Sequence, residues 1–459
     1  MRRVLIVGGG ASGVLLAAHL LRDRQAPIVV TIVEQRDDLG AGIAYSTKHP
    51  DHLRASNMSA YADDEEHFVR WLKANAPPGG PDPAHPLHFA PRHLYRGYLT
   101  SLLAPHFEQG RLRRVQAEAV ALVEDEAGVR VELRDGASRS AELVIVATGN
   151  EGPSLRRAPW RHEGWSSSPL PDVAADAPVL LVGTGLTMVD RVLSLLQEGH
   201  RGPITAVSPH GLIPQVHRLS RPLVMSESEV PFGASLSALT SWLRRRARAE
   251  AAVGGDWRSV IDAVRPHTQR LWQALSLTDR RRFFHLGRVW WDQHRHRIAP
   301  DAAAKLEAAR ARQQLRIVAG RALAFEPRGR GVDALVVHSK SGTQERLPAE
   351  AVFECRGRAT DVRRTENPIL QALLMSGQAR PDPLNLGLDV TQDCAVIDAA
   401  GRTSERIFAI GPVTSGVFWE IIAVPDIRVQ AARLAGHLRS SAARPRTGSL
   451  ALNTHVPPH

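Results

Sequence analysis

A glycine-rich turn between two apolar runs near the N-terminus places the strongest constraint on how this chain folds. The apolar residues 4–7 lead directly into Gly8, Gly10 and Gly13, which fit the spacing G-x-G-x-x-G. An apolar helical pattern follows, and a second apolar run ends at Glu34. Strand, glycine turn, helix, strand and acid in this order predict a βαβ unit that binds a dinucleotide.

Each position of this turn has a separate predicted role. Gly8 permits the tight turn, Gly10 lets the backbone approach a pyrophosphate, and Gly13 lets the helix pack close to the strand. The helix N-terminus presents N–H groups and a partial positive charge to the phosphates. Glu34 is placed to accept hydrogen bonds from ribose hydroxyls.

Composition limits the other classes to which the chain could belong. Its 459 residues are 43% hydrophobic, which is enough for sizeable cores, and no run of eighteen apolar residues predicts a membrane span. Glycines interrupt the apolar stretch after Arg2 and Arg3, so we expect no secretory signal and a cytoplasmic protein. The two cysteines, Cys355 and Cys394, form no C-x-x-C motif, which argues against a metal site or dithiol chemistry.

The chain is strongly basic, with a net charge of +11. Nucleic-acid binding is one interpretation of that charge, and attraction of anionic substrates and cofactors is the other. The arginine runs lie inside helical patterns, aromatic residues make up only 5% of the chain, and no nucleic-acid-reading motif is present. We therefore predict a small-molecule substrate, with neither nucleic acid nor membrane as a partner, and leave the oligomeric state open.

An internal repeat predicts a second nucleotide-binding unit. Residues 112–149 and 315–357 follow the same plan of alternating strand-like segments that end in a buried strand and a glycine. The second copy has its own turn, with Gly183, Thr184 and Gly185, but Met188 replaces the third glycine. The helix must then stand further from the strand, or the Met188 side chain must point away from it.

The strand after the second turn ends at residues 208–210 without an acid. An acid there would repel a 2′-phosphate, so its absence, together with His210 and Arg218, favours NADPH over NADH. Two dinucleotide units in one chain predict that one holds a flavin and the other brings a nicotinamide to it for hydride transfer.

Residues 232–312 interrupt the second unit with a helical pattern rich in arginine and tryptophan. His294 and His296 are two positions apart and would point in nearly opposite directions on a helix, which is poor geometry for one metal. We predict that His294, Arg295 and His296 bind or orient an anionic substrate near the flavin. The alternative is that this cluster is helix core with a solvated face.

These features predict an α/β fold with two Rossmann-like dinucleotide-binding domains, for FAD and NAD(P)H, and a helical insert. The predicted boundaries are 1–165 and 358–440 for the FAD domain, 166–231 and 313–357 for the NAD(P)H domain, 232–312 for the insert as a possible substrate lid, and 441–459 for a flexible tail.

Several motifs together resemble one branch of the two-dinucleotide-binding FAD/NAD(P) flavoproteins, the monooxygenases of the HpyO and CreE type. The motifs occupy residues 40–47, 91–95, 183–190, 290–297, 411–412 and 418–421. The resemblance implies an NAD(P)H-consuming, FAD-dependent monooxygenase that uses O₂ on a small nitrogen-containing substrate. Urate hydroxylation is the leading prediction. The alternatives are N-hydroxylation of an amino acid or amine, and a redox or sensor protein that binds both cofactors without oxygenation.

The predicted site residues follow from the motifs and this resemblance, and no metal ligand is among them. The predicted cofactor contacts are Gly8, Gly10, Ala11, Ser12, Gly13, Glu34, Gln35, Arg36, Gly42, Ala44, Arg92, Thr148, Gly149, Gly183, Thr184, Gly185, Leu186, Thr187, Gly411, Pro412 and Trp419. The predicted catalytic residues are His294, Arg295 and His296.

Overall fold

A computed structural model describes residues 1–50, 52–55, 58–75, 80–152, 158–165, 173–359 and 361–443. The strands of these residues are Arg2–Val7 (β1), Ile28–Glu34 (β2), Leu53–Ala55 (β3), Phe89–Pro91 (β4), Leu112–Gln116 (β5), Ala119–Asp125 (β6), Gly128–Leu133 (β7), Ser138–Ala141 (β8), Leu143–Val146 (β9), Arg161–Glu163 (β10), Val179–Val182 (β11), Ile204–Ser208 (β12), Leu315–Arg328 (β13), Gly331–His338 (β14), Gln344–Ala349 (β15), Ala351–Glu354 (β16), Ala395–Ile397 (β17) and Thr403–Ala409 (β18). The α-helices are Ala11–Leu21 (α1), Gly42–Tyr45 (α2), His67–Asn75 (α3), Arg92–Ser101 (α4), Ala104–Glu108 (α5), Leu186–Gln197 (α6), Leu236–Ala252 (α7), Trp257–Val264 (α8), Thr268–Ala274 (α9), Leu277–Arg282 (α10), Arg288–Arg295 (α11), Pro300–Ala311 (α12), Pro368–Met375 (α13) and Val424–Ala443 (α14).

The first unit is a sheet in the order β17-β18-β9-β1-β2-β5, parallel except at β17. Strand β1 lies at its centre and is buried from Val4 to Val7, because helices cover both faces of a parallel sheet and leave no face for polar residues. Helix α1 is also buried along almost its whole length and packs on this sheet. A separate antiparallel sheet, β6-β7-β8, connects β5 to β9.

The second unit repeats this plan in a sheet of order β10-β16-β11-β12-β13-β14-β15. Its parallel strands β16-β11-β12-β13 correspond to β9-β1-β2-β5 of the first unit. The antiparallel strands β13, β14 and β15 correspond to the connecting sheet β6-β7-β8. The predicted α/β class and the predicted repeat of residues 112–149 and 315–357 both agree with this topology.

Two elements belong to the second unit, although the predicted domain boundaries place them elsewhere. Strand β10 falls within the predicted FAD segment 1–165, but it pairs with β16 in the second sheet. Helix α12 falls within the predicted insert, but its residues Ala302, Leu306 and Ala309 are buried in the core of the second unit beside Met188 and Val192. The sequence of α12 has the same helical mixture of polar and apolar residues as the rest of the insert. Only the packing of α12 in the core of the second unit distinguishes it from the insert.

The remaining insert is a group of short helices, α7 to α11, with a π-helical turn at Phe283–Gly287. Helix α14 begins beside the first unit and continues to Ala443, so the first residues of the predicted tail are helical. Residues 444–459 of that tail lie outside the described residues. None of the helices described is both long and apolar enough to span a membrane.

Candidate functional site: two adjoining cavities

The first glycine turn has the geometry that its sequence predicts. Gly8 has a φ of +106°, and a Cβ there would lie 2.3 Å from the carbonyl oxygen of Ala147. A Cβ at Gly13 would lie 2.0 Å from the carbonyl oxygen of Gly8, so the third glycine allows α1 to pack against the turn. A Cβ at Gly10 would meet only Gly42, at 3.5 Å, and the protein itself therefore does not require a glycine there. Close approach of a ligand to the backbone explains Gly10.

Glu34 closes the turn at the end of β2. One carboxylate oxygen accepts a hydrogen bond from the Gly9 N–H at 2.7 Å, and the other accepts one from the Arg36 N–H at 2.9 Å. A Cβ on Gly9 would lie 2.9 Å from the Glu34 Cβ, so Glu34 can occupy this position only because residue 9 is a glycine. These bonds hold the carboxylate in the cavity wall, where a ribose would meet it.

The first cavity has a volume of about 1010 Å³ and extends along this turn. Its lining includes these predicted cofactor residues: Gly8, Gly10, Ala11, Ser12, Glu34, Gln35, Arg36, Gly42, Ala44, Thr148, Gly149 and Pro412. The Thr148 hydroxyl and the Asn150 side-chain oxygen are buried in its wall without hydrogen-bond partners in the described part of the chain. An extended cavity with a glycine cradle and unpaired polar atoms fits a dinucleotide such as FAD.

Other predicted residues shape this cavity without lining it. Gly13 packs against Gly8. Gly411 has a φ of +78°, and a Cβ there would lie 2.2 Å from the Ser12 hydroxyl, so both its backbone and its surroundings require a glycine. The Gly411 N–H donates to the Gln430 side chain at 2.8 Å, which ties this turn to α14. Val424 and Ile427 at the start of α14 line the cavity.

The second turn reproduces only part of the first. Gly183 has a φ of +115°, and a Cβ there would lie 2.4 Å from the carbonyl oxygen of Cys355. A Cβ at Gly185 would meet nothing within 4 Å, which leaves the space that a bound pyrophosphate needs. The Thr184 hydroxyl is hydrogen-bonded to the Ser208 hydroxyl at 2.7 Å. Met188 is fully buried in the core of the second unit, so its side chain does not point to solvent.

A second cavity of about 310 Å³ lies between the two units and the insert. Among the predicted residues, Ala44, Arg92, Leu186, Thr187, His296 and Trp419 line it. Gly183, Thr184 and Gly185 line neither cavity, although α6 begins directly after them. The two cavities share a wall that consists of Ile43, Ala44, Asn150, Trp165 and Ile422.

Arg92, a predicted cofactor contact, has a partner within the protein. Its guanidinium is paired with Asp190 of α6, with N–O distances of 2.7 and 3.3 Å. His52 also contacts α6, because its Nε2–H donates to the Asp190 carbonyl oxygen at 3.0 Å. Arg92 therefore connects the first unit to the second, beside the second cavity and away from the first.

The three predicted catalytic residues separate in space. His296 lines the second cavity. The His294 ring packs edge-on against Trp257, with ring centroids 4.7 Å apart, and its Nδ1 lies 2.7 Å from the Trp290 carbonyl oxygen. Arg295 is 9% exposed and is paired with Glu420 at 3.1 Å. Of the predicted cluster, only His296 is in position to contact a molecule in this cavity.

Burial also changes the charge expected of His296. Desolvation lowers the pKa of its imidazole to about 4, and nearby Asp292 only partly opposes this shift. The same burial raises the pKa of Asp292 above its usual range, although His296 and Arg288 lower it. His296 is consequently neutral at neutral pH, and it supplies a polar ring, not a cation, to the cavity.

The insert holds one wall of the second cavity in place. The Trp419 ring stacks on Trp272, with centroids 4.7 Å apart, and meets Phe283 and Phe284 edge-on. Glu420 has a φ of +63°, which is unusual for a residue with a side chain. Its carboxylate accepts hydrogen bonds from Arg295 and from the Trp291 indole N–H.

The sequence analysis missed several residues of this cavity, namely Arg288, Asp292, Asn150 and Arg358. Arg288 and Asp292 lie four positions apart on α11, and the same spacing leads to His296, so a helical-face analysis could have grouped them. Asn150 follows the predicted Thr148 and Gly149. Arg358 carries no local signal, because it reaches the cavity from a connection between the two units.

A family model described as FAD-NAD(P)-binding matches residues 5–151. Residues 5–151 form an FAD/NAD(P)-binding domain. This domain contains the first glycine turn, Glu34 and most of the first cavity, which confirms the predicted FAD and NAD(P) cofactor class.

Three proteins illustrate the wider similarity. The chain is 25% identical over 219 residues to the uncharacterized protein YdhS of Escherichia coli K12, covering 43% of this chain and 40% of that protein. It is 39% identical over 82 residues to a nitrosuccinate-forming L-aspartate N-monooxygenase of Streptomyces cremeus, covering 16% of this chain and 12% of that protein. The chain thus spans less than half the length of the curated relatives that it matches.

The structure of L-lysine 6-monooxygenase from Pseudomonas syringae superimposes with a TM-score of 0.64 at 16% identity, covering 97% of this chain and 100% of that chain. This likeness confirms the predicted fold, which has two dinucleotide-binding units. The FAD/NAD(P)-binding domain of residues 5–151 belongs to the first of them. The predicted resemblance to the two-dinucleotide-binding flavoproteins is also confirmed.

Proposed function

We propose that this protein is an FAD-dependent, NAD(P)H-consuming monooxygenase that hydroxylates the amine nitrogen of a small amino acid or amine. The balanced reaction is R–NH₂ + O₂ + NAD(P)H + H⁺ → R–NHOH + H₂O + NAD(P)⁺. One oxygen atom enters the new N–O bond, and the other leaves as water. The two electrons that this requires come from the reduced nicotinamide.

The shared wall between the two cavities carries this proposal. A dinucleotide in the first cavity and a small molecule in the second would contact the same residues, Ile43, Ala44, Asn150, Trp165 and Ile422. The second nucleotide-binding helix, α6, reaches the same cavity through Leu186 and Thr187. Such an arrangement suits a reaction in which flavin, nicotinamide and substrate must meet at one place.

Similarity to known proteins supports an amine substrate more than urate. The matched part of one relative belongs to an L-aspartate N-monooxygenase, and the superimposed structure is an L-lysine 6-monooxygenase. The leading sequence-based prediction, urate, has no counterpart among these proteins, and the alternative of amine N-hydroxylation therefore replaces it. NADPH is the proposed nucleotide because β12 ends at Ser208 and is followed by Pro209 and His210, without an acid.

Bound FAD, once reduced, supplies the activation of O₂. The chain itself would bind FAD through the first turn and Glu34, and would keep water from the shared wall with apolar side chains such as Ile43 and Ile422. Asp292 is the candidate contact for the substrate amine. Its carboxylate has the loosest pairing in the second cavity, 3.3 Å from Arg288 and 3.7 Å from His296, which leaves it able to accept a hydrogen bond from an amine.

Arg295 has a revised role in this proposal, as a positioning residue. Its pairing with Glu420 holds residues 419–422 against the insert, and this segment contributes Trp419 and Ile422 to the second cavity. Arg295 thus acts on the substrate site through Glu420 and does not touch the substrate.

The proposal is tested with purified protein, NADPH and a panel of amino acids, amines and urate. The measurements are NADPH oxidation, the hydroxylamine formed and the hydrogen peroxide released. We expect at least one amine to give hydroxylamine in near-equal amount to the NADPH consumed. Peroxide alone with every compound, or oxidation of urate alone, would refute N-hydroxylation.

The Asp292→Asn variant tests the amine contact. The amide oxygen of Asn can still accept a hydrogen bond, but loss of the carboxylate charge weakens that bond and should raise KM for the amine by roughly tenfold, while FAD content stays unchanged. The matched control is Asp301→Asn, which makes the same change on the exposed start of α12, outside both cavities. Equal KM values in Asp292→Asn and wild type would remove Asp292 from the site.

A further inference from the structure

Charged side chains around the second cavity are almost completely paired. Arg92 pairs with Asp190 at 2.7 Å, and Arg288 pairs with Asp292 at 3.3 Å. The carboxylate of Glu420, which also lines the cavity, pairs with Arg295. Each carboxylate named here is thus already matched by a guanidinium of the protein.

Arg191 also lines the cavity, but its guanidinium serves the protein interior. It is 4% exposed, donates to the Gly164 carbonyl oxygen at 3.0 Å, and lies over the Phe353 ring at 4.6 Å. Carbonyl oxygens and an aromatic face contact this cation within the second unit, and its burial leaves little of it exposed to a molecule in the cavity.

Arg358 is the exception among the described residues. Its Nη1 donates to the Ser415 hydroxyl at 2.8 Å and reaches the Pro412 carbonyl oxygen at 3.5 Å, both neutral acceptors. It forms no ion pair with any carboxylate of the described chain, and its Nε and Nη2 donate to no described residue. Burial, followed by the nearby Arg288 cation, lowers the pKa of its guanidinium to about 10, which still leaves it charged at neutral pH.

A second unused donor lies in the same wall. The Trp419 indole N–H is buried and has no hydrogen-bond partner among the described residues. Its ring is fixed by Trp272, Phe283 and Phe284, so the N–H is held in one place. A buried donor without a partner costs free energy unless a ligand or water accepts from it.

We propose that Arg358 is the carboxylate-binding residue of the second cavity and that Trp419 supports it, so that the substrate is a small zwitterionic amino acid and not a simple amine. This inference rests on the proposed function and narrows its substrate class. A cation held by neutral oxygens in a partly desolvated cavity is stabilised by an anion, and the planar fork of a guanidinium matches the two oxygens of a carboxylate.

The remainder of the cavity complements the other end of such a molecule. Asp292 has the loosest pairing of the carboxylates, and it would face an ammonium or amine. Arg358 is anchored on residues 412–415, and Pro412 lines the first cavity, so the carboxylate would bind where the two cavities adjoin. A volume of about 310 Å³ accommodates a small amino acid.

The test compares amino acids with the amines that remain when their carboxylate is removed. Suitable pairs are L-ornithine with 1,4-diaminobutane and L-lysine with 1,5-diaminopentane, and L-aspartate provides a shorter amino acid. Hydroxylamine formation and KM are measured for wild type, Arg358→Gln and Arg358→Lys. Arg356→Gln is the matched control, because Arg356 is two residues away, pairs with Glu354 and lines neither cavity.

We expect wild type to favour an amino acid over its paired amine in kcat/KM by roughly tenfold to 100-fold, the range for a hydrogen-bonded charge. Arg358→Gln should remove that preference by raising KM for the amino acid alone, and Arg358→Lys should restore part of it. FAD content, KM for NADPH and KM for the paired amine should stay as in wild type. Arg356→Gln should behave as wild type.

Three results would overturn the inference. The first is equal use of amino acids and their paired amines by wild type. The second is an equal change in KM for both members of a pair in Arg358→Gln. The third is a raised KM for NADPH in Arg358→Gln with the substrate preference intact, which would assign Arg358 to the nucleotide.

A binding measurement separates this inference from the proposed function. Succinate, a dicarboxylate without an amine, is titrated into the FAD-loaded protein, and the change in the flavin absorbance spectrum is followed. Succinate binding that Arg358→Gln abolishes, without hydroxylamine from any amine, would keep the carboxylate site and refute N-hydroxylation. Hydroxylamine formation with identical succinate binding in wild type and Arg358→Gln would refute the carboxylate site alone.

Discussion

The two glycine turns of this chain have the same backbone plan and different side chains. In each, the first glycine has a positive φ, and a Cβ on it would lie within 2.4 Å of a carbonyl oxygen from the neighbouring strand. The second glycine has room for a Cβ in both turns, since a Cβ at Gly10 would make only an ordinary contact with Gly42 at 3.5 Å and one at Gly185 would meet nothing within 4 Å. The two turns therefore share a bare backbone, which is the feature that the predicted binding of a phosphate requires.

The differences lie at the third glycine and at the strand end. Gly13 packs against Gly8, whereas Met188 fills the core of its unit. The strand pairing places Glu34 and Ser208 at equivalent positions, because Val33 and Val207 each accept a hydrogen bond from the first glycine of their turn.

The partners of these strand-end residues change together with them. Glu34 bonds to the N–H of Gly9, and Ser208 bonds to the hydroxyl of Thr184 at the corresponding position. The strand-end residue and the residue after the first glycine are thus in contact in both units, as an acid with a glycine in one and as a serine with a threonine in the other.

The largest effect is expected from Gly10→Val. Its side chain has room in the protein but occupies the space of the pyrophosphate, so the fold should survive while FAD binding weakens by about 3 kcal/mol, roughly 100-fold. The measurement is the flavin absorbance of the purified protein and of protein titrated with FAD. Normal flavin content in a folded Gly10→Val protein would show that the first turn does not bind FAD.

The next effect concerns the third position of each turn. Gly13→Ala puts a methyl group 2.0 Å from the Gly8 oxygen, and relief of that overlap should cost about 1–3 kcal/mol of folding stability. Met188→Leu conserves volume at the equivalent position and should cost less than about 1.5 kcal/mol. Urea unfolding of both variants measures the difference. Equal losses would mean that the two helices pack on their strands in the same way.

Gly185→Val makes in the second turn the substitution that Gly10→Val makes in the first. It should raise KM for NADPH by roughly tenfold, because the new side chain competes with the phosphates, and it should leave FAD bound. Steady-state kinetics and flavin content measure the two outcomes. Loss of FAD from Gly185→Val would contradict the assignment of separate nucleotides to the two turns.

The smallest effect is expected from transferring the first pair to the second turn. In the double variant, Ser208→Glu introduces the acid and Thr184→Gly makes the space that the acid requires. The acid should repel the 2′-phosphate and lower the NADPH/NADH ratio of kcat/KM by about tenfold. Ser208→Glu alone should be less stable, since it meets the Thr184 side chain. An unchanged ratio in the double variant, or equal use of both nucleotides by wild type, would refute nucleotide selection at this position.

The sequence by itself determined the parts of the site that depend on neighbours along the chain. The first turn, Glu34 and part of the first cavity's lining could be predicted, because the spacing of glycines sets the local backbone and a parallel strand delivers Glu34 to the same edge. The repeat was also readable, since its strands keep their order in both copies.

Tertiary structure decided which side chains reach the second cavity. Arg295 looked like a substrate contact, but the rotation of α11 points His296 and Asp292 to the cavity and leaves Arg295 to Glu420, more than a hundred residues away along the chain. Arg358 approaches from a connection without a motif. A helix or loop residue faces a site only through the packing of its element against distant ones, and that packing is not encoded in local spacing.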